Sequence, residues 1–207
     1  VKIYDLSIPI GVNCPPWPTY EPVQMKFFKR LSSNGANGQL LTHSNHVGTH
    51  LDGPLHFDTS GRTVDQLELS KLVRPGVVVD LTDAPCCEDF GIYTPEMIEE
   101  RVEVREGDIL IINTGYHKYG WDSPEADEQR YMVRHPGPSL SFVKWCQDKK
   151  IAWIGVDCGS ADHPMNTKIR DWCPMDAAKC DKYMQEKYGK TLQEMYPWPE
   201  QYQAMHI

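Results

Sequence analysis

The chain has 207 residues, enough for one domain with a substantial core. Its 40% hydrophobic and 24% charged residues are ordinary globular values, which excludes a disordered or collagen-like chain. No apolar run approaches the ~20 residues of a bilayer span, and a net charge of -8 without a basic stripe argues against nucleic acid and anionic membranes as partners.

In chain order, Ile3–Ile8 is predicted to form a short strand. Four prolines between positions 9 and 18 then forbid a helix. That stretch reads as a rigid surface loop, or as a lid that lays Trp17 over a pocket. A second strand is predicted over Met25–Leu31, followed by a turn rich in Ser, Asn and Gly at Ser32–Gly38. Thr63–Lys71 is read as a short helix. The β-branched run Gly76–Leu81 is a buried strand. Thr94 as N-cap, Pro95 at the first helical position and acids in the first turn start a helix. Asp108–Asn113 and Ile151–Val156 are further core strands, separated by a helix that Gly137-Pro138-Ser139 opens and that runs to Lys149. Asp176–Tyr188 is polar and helical, and Tyr202–Ile207 reads as the start of a strand. Strands and helices alternate through the middle, which gives an α/β or α+β fold in a single domain over 1–207.

Seven cysteines, an odd number without a CxxC pair, read as reduced thiols of a cytoplasmic protein. No signal peptide is visible ahead of the first predicted strand.

Chemistry concentrates in His46-Val47-Gly48-Thr49-His50-Leu51-Asp52-Gly53-Pro54-Leu55-His56. The ligand-type residues stand at i, i+4, i+6 and i+10. A helix would carry i+6 far round from i and i+4, and Gly53 and Pro54 would break it. On an extended segment all four share one parity, and turns at the glycines bend the line into a cup. Imidazole, imidazole and carboxylate form a common three-ligand set for a catalytic metal. Spacing alone does not say which histidine is not a ligand. His43 has the opposite parity. Asp157 is a candidate to orient a ligand histidine, and His117 and His135 are weaker site candidates.

The run HVGTHLDGPLHF resembles the HxGTHxDxPxHF signature of the metal-dependent cyclase-family hydrolases, which include bacterial kynurenine formamidases and isatin hydrolases. Asp5-Leu6-Ser7-Ile8-Pro9, Ile112-Asn113-Thr114-Gly115, His135-Pro136-Gly137 and Gly155-Val156-Asp157 extend the likeness over most of the chain. The resemblance implies a swivelling β/β/α domain and a homodimer or homotetramer. It implies His46, His50 and Asp52 as ligands of one or two Zn2+ or Mn2+ ions, and His56 as acid/base. Family members bring a late histidine back to the metal, with a Glu or Gln near it. His206 is the candidate for that histidine and is grouped with His56 as catalytic. No Glu follows it before the chain stops, so either a C-terminal segment is missing or Gln203 substitutes. Trp17, Phe57 and His163 are candidates for substrate contact. The implied reaction is hydrolysis of the C–N bond of an arylformamide or isatin-like lactam. The alternatives are a lactone or ester substrate, a cyclisation or dehydration at the same metal, and a non-catalytic metal-binding domain.

Overall fold

A computed structural model describes residues 2–206. Strands β1 (Gln24–Lys29) and β2 (Gly38–Thr42) form an antiparallel hairpin across the short helix α1 (Leu31–Asn34). Helix α2 (Leu69–Leu72) precedes strand β3 (Gly76–Asp80). Next come β4 (Ile92–Tyr93), α3 (Pro95–Glu99), β5 (Ile109–Asn113), β6 (Gly137–Pro138), α4 (Leu140–Asp148) and β7 (Trp153–Val156). Three helices close the order: α5 (Ile169–Trp172), α6 (Pro174–Tyr188) and α7 (Leu192–Met195). The fold is mixed α/β, and among the described residues no helix is long and apolar enough to cross a membrane.

β3, β5 and β7 form a parallel sheet in that order. Register pairs Val79 with Ile112 and Ile112 with Val156. Strand alternation turns Val77, Val79, Leu110, Ile112 and Ile154 to one face. There they pack with Ile98 of α3 and with Phe142 and Cys146 of α4. These crossover helices bury the apolar side of β-branched strands, the usual arrangement for parallel pairing. Val78 points the other way and is exposed.

A second core forms around α6. Cys180 and Met184 of that helix meet Ile169 of α5, Leu192 of α7, Met165 and Tyr196. This core supports the loop after β7, in which His163, Met165 and Thr167 are inaccessible and Asp162 and Asn166 nearly so. The loop is a buried shelf whose backbone is satisfied locally. His163 caps a turn over Pro164–Asn166 by accepting from the Met165 N–H.

Four expectations from the sequence change, the first at the predicted Ser32–Gly38 turn, whose opening residues belong to the short helix α1. Ile3–Ile8 forms no strand; Ile3 and Leu6 are exposed, and the Ile8 N–H donates to Thr49 Oγ1 instead. Thr63–Lys71 is not one helix but a 3-10 turn over Val64–Gln66 followed by α2. Tyr202–His206 makes turns, not a strand, with the His206 N–H donating to the Gln203 carbonyl.

Candidate metal centre

The histidine-rich segment runs beside the proline-rich loop. The Trp17 N–H donates to the His46 carbonyl at 3.1 Å, and Pro16 bridges Val47. Val47 is buried with Cys14 and Val23, which fixes the backbone next to His46. Gly48 adopts φ 65°, a conformation that favours glycine, and an added Cβ would meet the Ile10 side chain at 2.9 Å. That bend and a 3-10 turn over Pro54–His56 curl the segment.

Three side chains converge as a result. His46 Nδ1 lies 3.0 Å from Asp52 Oδ1, and His50 Nε2 lies 3.4 Å from the same oxygen. The two ring nitrogens are 3.2 Å apart. His50 Nδ1 stands 2.8 Å from the Gly48 carbonyl, which only accepts, so the ring proton sits on Nδ1. His50 Nε2 therefore presents a lone pair to a carboxylate oxygen that is buried and has no hydrogen-bond partner. Lone pairs converging without a proton call for a cation, and the N, N, O set suits a divalent metal.

Charge on the site follows the same contacts. Burial favours the neutral carboxyl of Asp52, but the imidazoles of His206, His50 and His46 close around it outweigh burial and lower its pKa strongly. Burial lowers His46, whereas the Asp52 carboxylate beside it raises His50. Burial also opposes charge on His206, yet its hydrogen bonds to Asp162 and Asp52 raise it to about 9.

His206 reaches this cluster from the far end of the chain, with Nε2 at 3.4 Å from Asp52 Oδ2. The His56 ring stacks on His46 with centroids 4.1 Å apart. Phe57 lies between them, 4.3 Å from the His56 ring and 5.1 Å from that of His206. Tyr20 adds an edge contact to His46.

Other candidates do not join. His163 is inaccessible, stacks on Tyr196, and has both ring nitrogens occupied by the Phe90 carbonyl and the Met165 N–H. Burial lowers its pKa to about 3, so it is a neutral core residue with no free atom for a substrate. Trp17 braces His46 through its backbone, while its half-buried side chain packs on the second core. Asp157 orients no ligand histidine; it binds the Thr114 and Gly115 N–H groups and His117. His135 is buried beside the Pro136 carbonyl, and His43 is exposed. Gln203 turns at φ 50° and serves the tail backbone. One contributor went unread in the sequence: Asp162, whose Oδ2 lies 2.5 Å from His206 Nδ1.

The family model described as "Putative cyclase" matches residues 4–163, more than half of the chain. The chain belongs to this cyclase family. It is 30% identical to the kynurenine formamidase of Bacillus cereus over 166 residues, covering 79% of this chain and 71% of that protein. The kynurenine formamidase of Geobacillus thermodenitrificans is 32% identical over 165 residues, with the same coverage of 79% and 71%. Its fold resembles that of an isatin hydrolase solved with the product analogue thioisatinate. The TM-score is 0.67 at 22% identity, over 79% of this chain and 69% of that one. His206 lies beyond the residues that the family model matches.

Proposed function

We propose that this chain is a metal-dependent hydrolase that cleaves the C–N bond of an arylformamide or an isatin-like cyclic amide. The observation that carries the reading is the convergence of His46 Nδ1, His50 Nε2 and Asp52 Oδ1 with no proton between the last two. The family and its formamidase relatives point the same way. His46, His50 and Asp52 would hold a Zn2+ or Mn2+ ion, for which nitrogen and carboxylate donors are suited. When bound, such an ion lowers the pKa of water toward neutrality and polarises a carbonyl.

The chain's own groups supply the rest. Water adds to the carbonyl carbon, the C–N bond breaks, and His56 moves the water proton to the leaving nitrogen. An imidazole can take and return a proton near neutral pH. Stacking on His46 and contact with Phe57 hold that ring at the edge of the ligand set. Phe57 offers an aromatic wall for an aryl substrate. His206 faces Asp52 on the opposite oxygen, where it fixes the carboxylate.

The same reading includes a cytoplasmic location and a homodimer or homotetramer. Free cysteines support the first. Exposed Phe28, Leu31, Leu40 and Leu41 on and beside the β1–β2 hairpin support the second, as apolar surface that a second copy would cover.

The test is turnover of N-formyl aryl amides, isatin-like lactams and lactones by protein loaded with zinc or manganese. Amide or lactam hydrolysis that stops on chelation and returns with metal is the expected result. Turnover confined to lactones, or none at all, would defeat the reading.

A further inference from the structure

Asp162 belongs to neither the ligand triad nor the proton-transfer group. It sits on the buried shelf after β7 and is 1% exposed. Its two oxygens do different things. Oδ2 accepts from His206 Nδ1 at 2.5 Å, and Oδ1 accepts from the Met205 N–H at 3.0 Å. Its own N–H donates to Ser160 Oγ. Four residues on, Asn166 holds the same tail: its carbonyl accepts from the Gln203 N–H, and its amide donates to the Gln201 carbonyl. The shelf therefore grips Gln201–His206 at four points, and only one of them touches a side chain.

We propose that Asp162 is a positioning residue, keeping a proton on His206 Nδ1 so that Nε2 is the nitrogen turned toward Asp52 and the metal centre. This rests on the hydrolase reading above. The chemistry is specific to a carboxylate. Two donors, the imidazole N–H and the Met205 N–H, meet two acceptor oxygens. An asparagine has one acceptor and one amide, so it must forfeit one of the two contacts or force a donor against a donor. If the amide faced His206, the ring would accept at Nδ1 and carry its proton on Nε2, toward the cluster. Partners of this kind, one bond removed from a metal, typically govern about 10–100-fold in metal affinity or activity.

The experiment uses the full chain and Asp162→Asn, His206→Ala and the double variant, with zinc affinity read by competition with a chromophoric chelator. Asp162→Asn is expected to weaken zinc binding by about 10–100-fold, and to add little once His206 is already alanine. A purely structural Asp162, acting through the Met205 backbone, would cost as much in the His206→Ala background. That additive result, or an Asp162→Asn chain with wild-type affinity, overturns the proposal alone. A wild-type chain that holds neither zinc nor manganese overturns the hydrolase reading with it. If Asp162→Asn does not fold, nitrogen NMR of the zinc-loaded wild type decides. A proton on His206 Nδ1 is expected, and a bare Nδ1 overturns the assignment.

Discussion

The Gly48 carbonyl lies 2.8 Å from His50 Nδ1 and so leaves Nε2 as a bare lone pair aimed at Asp52. His46 completes a set in which every member must be unprotonated to bind. Alanine at His46, His50 or Asp52 is therefore expected to cost more affinity than the roughly 10–100-fold typical of residues outside the ligand set. Elemental analysis of the purified variants checks this; full occupancy in all three would refute the ligand assignment. His56 touches His46 by stacking and is not among the convergent atoms. His56→Ala should keep its metal and lose about 10²–10⁴-fold in kcat. Loss of metal instead would make it a ligand. That these four residues lie together was legible in the sequence because all sit in one short segment. Asp162 was not, since aspartates often follow strands and its partner His206 is far along the chain. His163 misled for a similar reason. It follows a strand end, where sites gather, but sequence does not reveal that both its nitrogens are taken by backbone.

Among the elements, the longest apolar runs gave the clearest signal. β3, β5 and β7 fall where their apolar runs placed them, α3 starts at the Thr94-Pro95 signal, and α4 and α6 lie within about two residues of their predicted spans. The short parallel pair of β4 and β6 spans two residues each and carries no periodicity that sequence can report. That pair nevertheless ties the shelf to the rest of the chain. Gly137 of β6 passes so close to the shelf that an added Cβ would stand 2.3 Å from His163 Cα. Backbone on that side cannot swing away as a long side chain would. Gly137→Ala is expected to destabilise by at least the ~1–3 kcal/mol typical of overpacked cores, and to speed hydrogen exchange of the Met165 amide, which His163 accepts. An unchanged melting temperature with unchanged exchange would mean that the shelf yields easily. The Ile3–Ile8 misreading has the opposite cause. Its alternating pattern suits a strand, but in the described structure its Ile8 N–H goes to the Thr49 hydroxyl and the segment joins no sheet.

At the scale of the whole molecule, two buried histidines set how the fold responds to acid. His135 and His163 are both inaccessible, and burial holds them at about 4 and about 3. An unfolded histidine binds its proton near ~6.5. The folded values are depressed, so the stabilisation is complete above about pH 6.5 and is lost as pH falls toward the folded values. Each group contributes a slope approaching ~1.4 kcal/mol per pH unit in that window. The pair is thus worth on the order of several kcal/mol between neutrality and pH 4. For His163 the geometry explains why the proton is refused. Nδ1 already accepts the Met165 N–H, so protonating it would set donor against donor and open the turn that carries Asp162 and Asn166. Metal release in acid would add a separate loss, so the measurement belongs in protein stripped with chelator. Urea midpoints should fall steeply from pH 6.5 to 4.5, and His163→Gln should flatten that slope whatever it does to stability at neutral pH. A variant whose midpoints track the wild type in parallel would show that His163 takes up its proton without unfolding the shelf, and acid sensitivity would then have to come from His135.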